Sequence, residues 1–137
     1  MKLSENFAIV GRSNPKLVSA SGTEQTDRVS MALHPKVSFV VLCGGLGTAV
    51  TIQVKQAKTS GGGSEKDLTG KVLSATTGDH NEPFVLDVDA SELDLANGFN
   101  HVSALLTMGS GSSGSYVSTV ILADSTYLPA TDDIANR

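Results

Sequence analysis

Apolar and polar residues alternate along most of this chain, with the period of two that is typical of β-strands with one buried face. The strands predicted from this pattern are 26–34, 37–43, 48–58, 71–76, 83–88, 99–108 and 116–123. The stretch 37–43 is apolar and predicts a strand that is buried on both faces. Turn signals rich in Gly, Pro, Asn and Ser separate the strands at the spacing expected of a sandwich or small barrel.

The segments between the strands complete this picture. Four residues rich in glycine, 44–47, predict a hairpin turn, and 60–64 and 109–115 predict flexible Gly/Ser loops. One helical turn is expected within 87–97, with Leu93 and Leu95 tucked inwards. The fold class predicted is all-β: a single-domain antiparallel β-sandwich, jelly-roll-like, with an extended N-terminal arm.

The domain organisation follows from where the alternation stops. Residues 1–15 are predicted to be an extended arm, 16–130 the β-sandwich domain and 131–137 a flexible tail. Phe7, Ile9 and Val10 lie before a sandwich expected to begin near residue 17, so we expect them to order on a partner. Deleting residues 1–15 is then expected to weaken partner binding and to leave the melting temperature nearly unchanged.

Composition and charge exclude several classes of protein. The 137 residues carry 10 Lys and Arg against 14 Asp and Glu, a net charge of −4, which argues against a nucleic-acid partner held by phosphate contacts. The longest apolar run is too short to span a bilayer, so no membrane association is expected. A single cysteine, Cys43, excludes an intramolecular disulfide and a multi-cysteine zinc site. These features fit a soluble protein made in a reducing cytoplasm.

No catalytic or metal-ligating constellation assembles from the sequence. The glycines of 44–47 lack both nucleotide-binding spacings, and Asp87 and Asp89 begin a calcium-loop pattern that lacks its later ligands. Either Asp89 or Ser91 is expected to cap the turn that follows. Cys43 is interpreted as a buried small hydrophobe. We therefore expect no catalytic residue, no metal, no cofactor and no enzymatic activity.

The pattern over the whole chain resembles a family of small head proteins of tailed phages, the capsid cement or decoration proteins of the jelly-roll type found in some podoviruses. The similarity covers roughly residues 24–130. The segments that carry it are TDRVSM at 26–31, VSFVV at 37–41, GG at 44–45, TIQVKQA at 51–57, FVLDV at 84–88, Leu93, GFNHV at 98–102, VILA at 120–123 and YLPA at 127–130.

This resemblance implies a non-enzymatic protein made in a bacterial host and located on the outside of the virion. It would bind the major capsid protein as a symmetric oligomer, a homodimer or alternatively a trimer, and clamp neighbouring capsid subunits. Strand 116–123 is apolar on both faces, so one of its faces is a candidate interface. The predicted capsid or dimer contacts are Phe7, Ile9, Val10, Tyr116, Val120 and Leu122.

Two other functions share the predicted fold. One is a different virion component, such as a head-fibre base or a tail part, which would occur in few copies per particle. The other is a carbohydrate-binding β-sandwich, which generally stacks sugar rings on aromatic side chains. This chain has no Trp, so Tyr116 and Tyr127 would have to supply that platform.

Overall fold

A computed structural model describes residues 7–79 and 81–124, which form two antiparallel sheets without an α-helix. The strands are β1 Phe7–Val18, β2 Thr23–Gln25, β3 Val29–Ser30, β4 Lys36–Leu46, β5 Val50–Ala57, β6 Lys66–Ala75, β7 Pro83–Asp89, β8 His101–Met108 and β9 Ser115–Asp124. Three single 3-10 turns occur at Thr77–Asp79, Ala90–Glu92 and Leu95–Asn97.

The strand order of the two sheets is that of a jelly roll. Sheet A has the order β1-β9-β4-β7, and sheet B has the order β2-β8-β5-β6, with β3 also paired to β8. If β2 and β3 are taken as one interrupted strand, each sheet has four strand positions, and the first and last strands of the described residues, β1 and β9, are neighbours in sheet A. This order confirms the predicted all-β antiparallel sandwich.

The core lies between the inner faces of the two sheets. Phe39 and Ile121 from sheet A and Ile52 and Leu106 from sheet B are each completely buried. Alternate residues of each strand contribute to this layer, because successive side chains of a strand point to opposite faces. The period of two in the sequence therefore decides which residues form the core.

Strand β4 has only one buried face, which differs from the prediction for 37–43. Its inward residues, such as Phe39 and Val41, are buried, whereas Val40 is half-buried and Leu42 is 47% exposed. The outward face of sheet A has no second layer of this chain against it among the described residues. Apolar composition alone was misleading here, because it does not distinguish burial by the chain itself from apolar surface left exposed.

Residues 7–15 are part of the sandwich rather than of an arm. They lie in β1, which pairs with β9 from Phe7 opposite Asp124 to Val18 opposite Ser115. Ala8 and Ser13 are buried against the core. The predicted break at Pro15 is a register shift between Ser13 and Lys16, which an edge strand tolerates because its outer N–H groups need no ladder partner. Residues 1–6, like the predicted tail 131–137, lie outside the described residues.

Three other segments also differ from the sequence-based expectation. The strand predicted over 26–34 is reduced to β3, and Leu33 is exposed. Gly44 and Gly45 continue β4 past a register shift, and the chain then crosses from sheet A to sheet B instead of making a hairpin. Strand β6 begins at Lys66, five residues before the predicted 71–76.

The segment after β7 turns as expected, with one exception. The Asp89 carboxylate accepts a hydrogen bond from the Ser91 N–H at 3.0 Å, and the Glu92 carboxylate accepts one from the Asp89 N–H at 2.9 Å. This reciprocal capping box holds the Ala90–Glu92 turn. Leu93 is buried as predicted, but Leu95 is 50% exposed.

Candidate interaction surface

The outward face of sheet A is the most apolar exposed surface of the described chain. We call this surface the sheet A face. Its apolar members are Ile9, Leu17, Val40, Leu42, Val85, Tyr116, Val120 and Leu122. Five of the eight are more than 45% exposed, and the other three are half-buried. Exposed single apolar residues are normal on a protein surface, whereas a contiguous set of them is a candidate interaction site.

Strand register brings these residues together. Val85, Val40 and Val120 are successive cross-strand neighbours, and Arg12 completes their row on β1. Ile9 and Leu122 are neighbours in the next row, which continues through Ser38 and Asp87. Directly opposite residues share a face and lie about 5 Å apart, so the valines form a continuous apolar strip across three strands.

Five of the six predicted contact residues lie on this side of sheet A. Ile9, Tyr116, Val120 and Leu122 belong to the sheet A face, and Phe7, which is 42% exposed, lies at its end. Val10 does not join them. It occupies the register shift between Ile9 and Gly11 and packs against the core.

Four members of the face do not follow from the sequence pattern. Val40 and Leu42 lie in the stretch 37–43, for which burial on both faces is predicted, and no motif marks Leu17 or Val85. Their alternation with Val41 and Leu86, which are buried, is a signal that would have placed them outward. Cross-strand register, which joins residues more than 70 positions apart in sequence, could not be obtained from that signal.

Charged and polar groups border the sheet A face on its two edge strands. On β1, the Arg12 Nε donates to Asn14 Oδ1 at 2.9 Å, and Lys16 pairs with Glu24 at 2.8 Å. On β7, the Asp87 carboxylate accepts a hydrogen bond from the Ser38 hydroxyl. The Lys71 ammonium donates to the Asp87 backbone carbonyl at 2.7 Å and pairs with Glu92 at 3.1 Å. The face is thus an apolar centre with a polar rim.

Two shallow grooves open onto this face. One of about 550 Å³ runs along its Phe7 end between Leu122 and the charged residues Lys36, Asp87 and Asp89. The other, about 300 Å³, lies at the opposite end between Leu42, Tyr116 and Pro15. Hydrogen bonds from Ser91 hold the pKa of Asp89 below its usual range, so this carboxylate remains ionised at neutral pH.

The outward face of sheet B is mainly polar, although Leu105 and the exposed Val72 lie on it, and it contrasts with the sheet A face. A row of Thr23, Thr107, Thr51 and Ser74 crosses its four strands. Elsewhere on this sheet the Glu65 carboxylate binds the Arg28 guanidinium at 2.9 Å and accepts a hydrogen bond from Gln25. Polar side chains that bind one another and water need no partner protein, so the two sides of the sandwich differ in character.

The reactive side chains of the described chain do not gather into a site. Burial, and secondarily the charge of Asp79, raises the pKa of the Cys43 thiol, which disfavours the nucleophilic thiolate. His34 is buried in the β3–β4 connection. His101 lies at the start of β8 in sheet B, and its Nδ1 is 2.7 Å from Asn100 Oδ1. His80 lies outside the described residues. Across 7–79 and 81–124, no three His, Cys, Asp or Glu side chains group closely enough to hold a metal ion.

Tyr127, the second tyrosine considered for a sugar platform, also lies outside the described residues. The exposed aromatic rings of the described chain are those of Phe7 and Tyr116. Phe7 lies opposite Asp124, so the two rings are eight strand positions apart, about 26 Å at 3.3 Å per residue. They do not form one stacking platform. Within the described residues there is no helix long and apolar enough to cross a membrane.

Comparisons with known proteins identify no family for this chain. No protein-family model matches it, and no curated protein matches it in sequence. Among solved structures it is similar to PirA, with a TM-score of 0.48 and 18% identity over 82% of this chain and 92% of that one. It is also similar to the SPBc2 prophage-derived protein YomS, with a TM-score of 0.41 and 12% identity over 83% and 96%.

A third similar structure is the family 11 carbohydrate-binding module from Clostridium thermocellum, solved with a mixed-linked tetrasaccharide. Its TM-score is 0.43 and its identity 16%, over 86% of this chain and 95% of that one. These similarities are likenesses of fold alone. The sheet order of the chain itself defines it as an all-β, jelly-roll-like sandwich with one apolar and one polar outer face.

Proposed function

We propose that this protein is a non-enzymatic structural protein of a tailed-phage virion. It docks on the outside of the capsid as a homodimer and holds neighbouring major capsid subunits together. It is made in the cytoplasm of the bacterial host and binds neither nucleic acid nor membrane. The proposal combines the resemblance over residues 24–130 with a surface suited to protein contact.

The observation that carries the proposal is the convergence of apolar residues on the sheet A face. Val40, Val85 and Val120 form its centre, and charged residues lie at its edges. Desolvating such a centre on a partner stabilises the complex by about 25 cal/mol for each Å² of apolar surface removed from water. A homodimer held together by such a face carries two copies of any capsid-binding surface. Because a capsid lattice also repeats its surface many times, modest contacts at each copy suffice for stable attachment.

A carbohydrate-binding role receives less support from the surface. Sugar platforms use neighbouring aromatic rings, and the two exposed rings of the described chain are too far apart for one sugar. The apolar members of the sheet A face are otherwise aliphatic, and aliphatic side chains favour another protein surface over hydroxyl-rich glycans.

The deciding experiment is quantitative mass spectrometry of purified virions of the phage that encodes this chain. Copies of the protein are measured relative to the major capsid protein. The proposal expects a fixed ratio of about one, or a simple lattice fraction of one, because a cement protein repeats with the shell. A handful of copies per particle would assign it to a tail or fibre, and absence from virions would overturn a structural role altogether.

A further inference from the structure

We propose that the sheet A face is the contact between two copies of this chain, with the two-fold axis parallel to the strands. Sheet A of one copy then stacks on sheet A of the other, which gives four layers of sheet. This inference rests on the proposed function, in which the sheet A face is a protein contact, and it adds which protein the face contacts. It commits the face to a second copy, so that capsid contacts lie elsewhere on the dimer.

The size of the face suits such a contact. Four strands about 4.8 Å apart and seven residues of about 3.3 Å give a face of roughly 20 by 23 Å. The two faces, treated as flat, therefore bury on the order of 900 Å² of surface in total. This is close to the roughly 1,000 Å² that a specific interface requires, and the uneven surface of the side chains adds to it. Stacked sheets within a sandwich pack in the same aligned manner, about 10 Å apart.

The arrangement of charge selects the axis. Arg12 lies at an outward position of β1, and Asp87 lies at an outward position of β7, at the opposite edge of the sheet. A two-fold axis parallel to the strands places β1 of each copy over β7 of the other. Arg12 then faces the partner's Val85, one outward position, about 7 Å, from the partner's Asp87. An arginine side chain reaches that far, so each copy forms the same ion pair.

An axis perpendicular to the strands does the opposite. It places β1 over β1 and β7 over β7, so an axis level with Arg12 brings the two Arg12 side chains together, and no arginine lies opposite Asp87. Juxtaposed like charges at an interface oppose association. The parallel axis also places Val120 over the partner's Val40 and Val40 over the partner's Val120, which matches aliphatic side chains of one size across the centre.

The first test measures the mass of the full chain by sedimentation equilibrium. Wild type is expected to be a dimer, and Val85→Lys, which places an ammonium in the interface, is expected to raise the dimer dissociation constant about tenfold or more. Val72→Lys is the matched control. Val72 is 46% exposed on edge strand β6 of sheet B, as Val85 is 54% exposed on edge strand β7 of sheet A.

Leu42→Lys, on the central strand β4, is a second interface variant if Val85→Lys fails to fold. Melting temperatures are recorded for each variant to establish that it is folded. A monomeric wild type would overturn the inference, as would equal effects of Val85→Lys and Val72→Lys. If wild type is monomeric and Val85→Lys lowers the melting temperature far more than Val72→Lys, the occupant is a segment of the same chain, such as 125–137, and the inference is again wrong.

The second test addresses the axis by exchanging the charges. Arg12→Glu and Asp87→Arg are each expected to weaken the dimer, and the double variant is expected to restore it because both pairs are re-formed with reversed sign. A double variant as weak as the sum of its parts would overturn the parallel axis. These measurements use the isolated protein, so a dimer that is absent from virions contradicts only the proposed function. A monomer that is present on virions contradicts this inference and the homodimer of the proposed function, but not attachment to the capsid.

Discussion

The burial of Cys43 makes the folding stability of the protein depend on pH. Its side chain lies on the core side of β4, and burial together with Asp79 raises the thiol pKa above its ordinary value of 9.0. The folded protein therefore holds this proton more tightly than the unfolded chain does. The contribution of the protonated Cys43 thiol to folding stability is complete below pH 9.0. It is lost as the pH rises through the raised pKa of the folded state.

We therefore predict that the folding stability of wild type falls more steeply above pH 9.0 than that of Cys43→Val. Chemical denaturation at a series of alkaline pH values provides the measurement. The comparison with the variant removes the contribution of lysines and tyrosines, which titrate in both proteins. Parallel pH profiles would show that the thiol ionises as freely in the folded protein as in the unfolded one.

For individual residues, the sequence predicted much of the structure. Tyr116, Val120 and Leu122 share the outward face of β9, as their spacing predicts, and Cys43 is buried, as its place in an apolar stretch suggests. The exposure of Leu42 was missed because its neighbours are also apolar, so period alone does not say which side faces the core. That information lies in the pairing of β4 with β7 and β9.

Strand β1 shows why element boundaries were harder to predict than element type. It contains two register shifts, at Val10 and around Pro15, and these interrupt the alternation by which a strand is recognised. Its membership of sheet A is determined by β9, about 100 residues away in sequence. A local pattern carries no such information. The more regular β5, β7, β8 and β9 were all predicted within a few residues.

The place of β1 in the sheet reverses the expectation for an N-terminal truncation. Deleting residues 1–15 removes the buried Ala8 and Ser13 and most of the partners of one edge of β9. We predict the loss of a large part of the roughly 5–15 kcal/mol that stabilises a domain, seen as a strongly lowered melting temperature or insoluble protein. Deleting residues 1–6 keeps every β1–β9 pair and is the control. A truncation of 1–15 that melts with wild type would show that β1 contributes little.

For the whole molecule, the most consequential pairing joins the two ends of the described chain. Phe7 lies opposite Asp124, so β1 and β9 close sheet A with residues that are more than 110 positions apart. Contacts of this range make jelly rolls slow to fold, because the loop-closure entropy is lost before the pairing compensates for it. They also bring Phe7 and Asp124 to the same end of sheet A.

The two Gly/Ser loops look alike in sequence but differ in structure. Within 60–64, a Cβ added at Gly61 would meet no atom closer than 3.8 Å. At Gly114, by contrast, an added Cβ would lie 2.9 Å from the Ser19 Cα and closer still to the Val18 carbonyl oxygen. The following Ser115 is buried, and its hydroxyl donates to the Thr48 carbonyl at 2.9 Å. The first loop is open to solvent at Gly61, and the second is packed at Gly114 and Ser115, where β1, β4 and β9 meet.

Circular permutation tests how much the stability of the complete fold depends on an unbroken chain at each of these two loops. Residue 137 is joined to residue 1, so that 125–137 and 1–6 connect β9 to β1, and the chain is opened elsewhere. A permutant opened between Ser60 and Gly61 is expected to keep the wild-type circular dichroism spectrum and most of its stability, because its new charged ends reach water. Opening between Gly114 and Ser115 places those charges at a buried, hydrogen-bonded site and is expected to prevent cooperative folding. Equal stability of the two permutants would mean that closure of β1 on β9 tolerates a break at either loop, and that the packing around Gly114 adds little to the fold.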